Sequence, residues 1–176
     1  MLRVSFLYYQ EVNYMIDHIE LLRMIENDAR LTNEDMAVRL GVTEEELAKE
    51  IKYLEDEKII LGYTTNINWE KQLPEHCIGM IEVRIAPTKG KGYDQVANIL
   101  SKYDKVSACY LMSGGFDLMV IYEDKSLRDI ANFVNQKIAT QEGVLSTTTH
   151  FILKKYKANG IMFDAQDSDD RQAVIL

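Results

Sequence analysis

The apolar residues of this chain repeat at helical spacing as far as Gly62 and at spacing two from Cys77 onward. That switch demands a helical unit followed by a sheet-containing one. In the first part, Ile16, Ile19, Leu22 and Ile25 share one face of a helix that NDAR at 27–30 ends. A second helix opens at Thr32, whose hydroxyl can cap the free amides while Asp35 approximates a capping box; Met36, Ala37 and Leu40 form its inner side. Gly41 breaks it, and Thr43 opens a third helix with Glu46 three positions on. Two short helices joined by a tight glycine turn make a helix-turn-helix, against which an ordinary three-helix bundle stands about even on spacing alone. The segment KIILGYTTNINW (58–69) predicts a strand leading out of the bundle, and EKQLPEH (70–76) marks the boundary.

Beyond it, CIGMIEVRIAP (77–87) reads as a strand and YDQVANILSKY (93–103) as a helix with Val96, Ile99, Leu100 and Tyr103 inward. VSACYLMS (106–113) and FDLMVIYE (116–123) are strands separated only by Gly114 and Gly115. SLRDIANFVNQKI (126–138) is a helix capped by Ser126 with Asp129, burying Leu127, Ile130, Ala131, Val134 and Ile138, and VLSTTTHFILKKY (144–156) closes as a strand. The order βαββαβ predicts a ferredoxin-like α+β domain with both helices on one sheet face. Its other face, rich in Ile, Val, Met and Tyr, calls for a second copy, and a homodimer is expected. The expected division is an N-terminal extension 1–14, a helix-turn-helix domain 15–62, a β linker 63–76, a sheet domain 77–157 and an acidic tail 158–176. Met15 is an alternative start.

A net charge of −8 and a pI near 4.9 argue against a protein that coats polyanions without regard to sequence, because such binding relies on Lys and Arg displacing counterions. A small local DNA-reading surface is still allowed. Cys77 and Cys109 are far apart and belong to no Cys/His cluster, which predicts free thiols, no metal site and a reducing, cytoplasmic location. No apolar run reaches about eighteen residues, so no membrane span is expected, and the first fourteen residues make a poor signal peptide.

Two segments carry a family resemblance. NDARLTNEDMAVRLGVTEEELAKEIKYLEDEKIILGYTT (27–65) holds a D-x-R turn (Asp28, Arg30), the Ala37 and Gly41 spacing, an I-x-x-L-E run (Ile51, Leu54, Glu55) and a closing I-x-G-Y (Ile60, Gly62, Tyr63). LMSGGFDLMV (111–120) contains Ser113, Gly114, Gly115, Phe116 and Asp117, a small-Gly-x-aromatic-Asp turn. Together they resemble the Lrp/AsnC, or feast/famine, transcriptional regulators over about residues 16–156. The resemblance implies a DNA-binding regulator that dimerises, often to octamers, and senses a small molecule, usually an amino acid, between subunits. No cofactor is expected.

Placed on a helical wheel, the third helix turns Leu47, Ile51 and Leu54 inward and Glu45, Lys49, Lys52, Tyr53 and Asp56 outward. Glu44, Glu45 and Glu46 suit the positive end of the helix dipole, and Glu45 to Lys49 is the favoured i,i+4 ion-pair direction. If DNA is bound, Thr43, Glu45, Lys49, Lys52 and Tyr53 lie where base edges would be, and Thr32, Asn33 and Arg39 where phosphate would be. Yet residues 15–68 hold six basic against thirteen acidic residues, a balance of −7. Family members commonly carry Arg where this chain has Lys49, Glu50 and Tyr53, so phosphate anchoring and guanine reading are weakened. Affinity summed over several domains of an oligomer is the favoured reconciliation.

In the turn, the amides of Gly114 and Gly115 can approach a carboxylate and Asp117 can take an ammonium. A plain hairpin turn is the competing reading of those five residues taken alone. The hydroxyl-rich stretch 146–150 is the other candidate lining, Thr147 and Thr149 above all, although which of Thr147, Thr148 and Thr149 points inward depends on register. No catalytic set is expected, because His18 and His76 lie in a helix and a linker and His150 has no sequence-evident nucleophile or carboxylate partner. Two rivals stand beside the regulator: an amino-acid sensor that no longer binds DNA, and, by analogy of build alone, an enzyme such as a siroheme decarboxylase.

Overall fold

The structure, a computed structural model, describes residues 16–73, 75–86 and 92–163. The expected N-terminal extension, Met15, the break at Pro87 and residues 164–176 of the expected tail lie outside them. The chain divides into two compact units between Thr65 and Asn66.

The first unit holds α1 (His18–Asn27), α2 (Asn33–Leu40) and α3 (Glu44–Asp56). Each starts at a side-chain cap: Asp17 accepts from the Ile19 amide at 2.8 Å, Thr32 from Asp35 at 3.1 Å and Thr43 from Glu46 at 3.2 Å. The Glu46 carboxylate returns to the Thr43 amide at 2.9 Å and completes a capping box. Gly41 ends α2 at φ 68°, a left-handed conformation that suits glycine. Leu21, Ile25, Met36, Ala37, Leu47 and Leu54 form the core, with Ile16, Leu22, Leu40, Ile51 and Ile60 packed around it.

One sequence expectation for α1 is corrected here. Ile19 is 59% exposed, and Leu21, fully buried, takes its place. A series stepping by three turns through 300° per step, so it drifts 60° around the helix each time and cannot stay on one face. Leu21 and Ile25, four apart, hold the face together.

The expected linker strand is also corrected. Residues 61–68 join no ladder, and a single 3-10 turn, Trp69–Lys71, follows. A strand needs a neighbouring backbone, and among the described residues none pairs with this segment, whatever its β propensity.

The second unit contains β1 (Cys77–Ile85), α4 (Tyr93–Leu100), β2 (Val106–Leu111), β3 (Leu118–Asp124), α5 (Leu127–Phe133) with a π turn (Val134–Ile138), and β4 (Val144–Phe151). The strands form one antiparallel sheet in the order β2-β3-β1-β4. This is the ferredoxin-like arrangement. Ile81, Val83, Ile85, Leu118, Val120 and Tyr122 on one face pack against Val96 and Leu100 of α4 and Ile130, Phe133, Val134 and Ile138 of α5 and its π turn. Tyr122 stacks on Phe133 with ring centroids 3.8 Å apart, and Tyr103 meets the same ring edge-on at 5.1 Å. Gly79 lets α5 close on β1: a Cβ there would stand 2.9 Å from Ile130 Cγ2.

The first of the two helices, α4, ends at Leu100, short of the expected Tyr103, while the second runs to Ile138 as expected, its last turn a π turn. Ile99, Leu127 and Ala131 face outward and Phe133 inward, because each helix touches the sheet along one narrow row. The last strand stops at Phe151, short of Tyr156. A small hairpin, β5 (Lys157–Ala158) and β6 (Ile161–Met162), then occupies part of the stretch assigned to the tail. Its turn is Asn159-Gly160, both at positive φ (48° and 79°), a strong hairpin signal that the sequence reading passed over.

Candidate functional site

The outward face of α3 is set by its cap and by two ion pairs along the helix. Lys49 Nζ lies 2.8 Å from Glu45 Oε1, and Lys52 Nζ lies 3.0 Å from Asp56 Oδ2. The hydrogen bond and charge of Glu45 raise the Lys49 pKa, and the same contact lowers that of Glu45. The Thr43 amide, then its hydroxyl, lower that of Glu46. Both lysines singled out from the sequence are therefore already partnered by acids one turn away. Tyr53 is half exposed on the same helix, and its ring lies 6.2 Å from that of His18, which pairs with Glu50 at 2.6 Å. Thr32 and Thr43 are spent as caps, while Asn33 and Arg39 are exposed on α2.

In the second unit the Ser113–Asp117 turn is tied to the end of β1 from several directions. The Asp117 amide donates to Val83 O at 3.0 Å, and the Met112 amide to Asp117 O at 2.8 Å. The Ile85 amide donates to Asp117 Oδ2 at 2.7 Å, and Arg84 Nε to Gly115 O at 2.8 Å. Asp117 is thus half-buried and partly committed to holding the turn. Gly114, at φ 142°, and Gly115 are exposed, and a Cβ on either would meet no heavy atom within 4 Å. Phe116 is half-buried and Ser113 exposed.

Strand register settles the threonines. Thr147 lies opposite Val83 and Thr149 opposite Ile81, on the helix-covered face; Ser146, Thr148 and His150 lie opposite Arg84, Glu82 and Met80 on the other. Because β1 stands between β3 and β4, Thr147 is two strand spacings from the turn, about 10 Å. A single chain does not gather Thr147 and Thr149 with Gly114 and Asp117.

His150, read from sequence as lacking a carboxylate partner, has one: its Nε2 is 3.1 Å from Glu82 Oε1. Strand pairing brings together residues 68 apart in the chain, which no local pattern reveals. His76 likewise meets Glu123 at 3.0 Å. Arg84 is the functional candidate that the sequence reading missed. Alternation along β1 puts it on the face away from the helices, but its approach to the turn follows only from the strand order.

At the opposite end of β3, Asp124 is buried and accepts from Lys105 Nζ at 2.7 Å, the Lys125 amide at 2.8 Å and the Tyr122 hydroxyl at 3.1 Å. Burial raises its pKa, but the three donors outweigh burial and the net shift is downward. Burial, then Asp124, push the Tyr122 hydroxyl up to about 12. Among the described residues no group of three His, Cys, Asp or Glu side chains could hold a metal, and no helix is long and apolar enough to cross a membrane.

Comparison with known proteins decides the family. The Lrp/AsnC ligand binding domain matches residues 79–162. An uncharacterized HTH-type transcriptional regulator of Bacillus subtilis, YugG, is 40% identical over 88% of this chain and 94% of its own. The chain belongs to the Lrp/AsnC family. The HTH-type transcriptional regulator LrpA of Pyrococcus horikoshii is 32% identical over 81% of this chain and its whole length. Among solved structures, the leucine response regulatory protein of Mycobacterium tuberculosis superposes with a TM-score of 0.67 at 22% identity, covering 79% of this chain and 92% of that one. A Neisseria meningitidis transcriptional regulator in complex with L-methionine gives 0.65 at 23% identity, covering 80% and 90%. These two likenesses show the fold. The relatives are transcriptional regulators by name, and this Lrp/AsnC chain carries the family's ligand-binding domain.

Proposed function

We propose that this Lrp/AsnC protein is a cytoplasmic, sequence-specific DNA-binding regulator whose C-terminal domain binds an amino acid at a subunit interface. The observation that carries the reading is the α2–Gly41–α3 pair, which holds the outward face of α3 exposed and rigidly capped. Thr43, Glu45, Lys49, Lys52 and Tyr53 would meet base edges, and Thr32, Asn33 and Arg39 the phosphates. The effector would sit at Ser113, Gly114, Gly115, Phe116 and Asp117, with a neighbouring subunit closing the site; Thr147 and Thr149, which face the helices of their own sheet, would lie outside it. Support comes from the family and from the exposed turn; the Neisseria relative, solved with L-methionine, suggests the ligand class. The sheet face that neither α4 nor α5 covers, bearing Met80, Met119 and Ile121, is where a second copy would pack.

Paired lysines and a balance of −7 make each domain a weak DNA ligand, so affinity would come from several domains engaging one site. The same observation favours the second reading, a sensor that does not bind DNA. Selection of genomic fragments by the purified protein, with and without each of the twenty L-amino acids, separates the two. The regulator enriches a common site; the sensor enriches none.

A further inference from the structure

We infer that Arg84 is the residue that recognises the carboxylate of the effector, so that this site selects free amino acids over their neutral derivatives. The inference rests on the effector reading above and names a recognition residue for it.

Arg84 stands at the end of β1, on the face that α4 and α5 leave uncovered, opposite Ser146. It is exposed, and its Nε reaches the turn, donating to Gly115 O at 2.8 Å. That bond uses one of five guanidinium N–H groups and fixes the plane of the fork beside the two glycines. Charges near it are engaged elsewhere. Glu82, two residues back on the same face, faces His150, and Asp117 faces the Ile85 amide. Among the described residues Arg84 has no carboxylate within 4.0 Å.

The other described arginines also pair with no carboxylate, so it is the place of Arg84 that sets it apart. Here it borders the open space that Gly114 and Gly115 leave by having no side chain. The terminal nitrogens of such a fork suit a carboxylate in two-point, charge-assisted contact. Asp117 keeps acceptor capacity beyond its bond to Ile85, which gives the ammonium of the same zwitterion a place. A carboxylate and an ammonium would then be read by residues on two different strand ends, with the turn fixed between them.

The alternative is that Arg84 merely props Gly115. Binding of each L-amino acid and of its uncharged α-carboxamide to the full chain, measured by calorimetry for wild type and Arg84→Gln, separates the two roles. Loss of a prop weakens acid and amide alike; loss of a carboxylate contact weakens only the acid. For the amino acid that wild type binds, the acid is expected to bind at least about tenfold tighter than the amide, and Arg84→Gln to bring that ratio within about twofold of one. Arg84→Met, of similar length, serves if the Gln variant does not fold. A variant that keeps the wild-type ratio overturns the inference while leaving the effector site standing. Wild-type protein that binds none of the twenty overturns the effector site and the inference with it.

Discussion

Replacing Asp124 with Asn tests the polar end of the sheet in a way that pH can interrogate. Asp124 accepts from three donors at 2.7, 2.8 and 3.1 Å, and only 6% of its side chain is exposed. An amide has one acceptor oxygen where the carboxylate has two, and its NH2 would point at a donor. The loss is then at least one hydrogen bond to a charged acceptor plus its pairing with Lys105. Because the Lys105 side chain is 55% exposed and regains water, the pair is discounted, and the net cost is about 1–3 kcal/mol.

The folded Asp124 pKa is lowered, so its charge contributes stability that is fully present above the unfolded value, about 3.9, and lost as pH falls through the folded value. Tyr122, pushed up to about 12, stays protonated and donates across that range. Urea unfolding followed by circular dichroism should show a gap between wild type and Asp124→Asn that is constant from pH 7 to about 5 and narrows below about 4. A gap that persists unchanged at pH 3, or none at pH 7, would refute the account of this network.

Three further outcomes follow from packing and charge. Gly79→Ala forces a Cβ to 2.9 Å from the fully buried Ile130 and should cost about 1–3 kcal/mol in urea; Ile130→Ala in the same chain should absorb part of that loss, giving a non-additive cycle. Leu47→Ala, in the core beneath α3, should cost about 2–5 kcal/mol in the unfolding of the first unit, against little effect from Val38→Ala, which is 77% exposed. Removing the acids that occupy the α3 lysines, Glu45→Gln with Asp56→Asn, should tighten DNA binding at low salt and steepen its salt dependence by up to about 0.9 per lysine released.

Local signals were the legible part of this chain. Thr32, Thr43 and Ser126 cap the helices expected of them, Gly41 ends α2, and period-two runs mark the four strands of the larger sheet. What failed was whatever depends on a second surface. Ile19, Ile99 and Leu127 are apolar and helically spaced, yet each helix buries only a narrow row, and sequence cannot say which row meets the core. The 58–69 segment has strand composition but no partner backbone among the described residues. In the candidate site, the turn itself could be read from five consecutive residues, whereas Arg84 and the Glu82–His150 pair arise from pairing across strands. The threonines illustrate the same limit, since register alone decides that Thr147 and Thr149 face the helices and Thr148 does not.

The most direct test of the central claim is the affinity of the whole 176-residue chain for its selected DNA fragment, measured at fixed salt with and without the amino acid that stabilises it. A shift of about 5- to 150-fold is predicted, the range of ordinary coupling between two sites on one protein. An affinity identical in both conditions, at ligand concentrations that saturate the second unit, would contradict regulation through the Gly114–Asp117 turn.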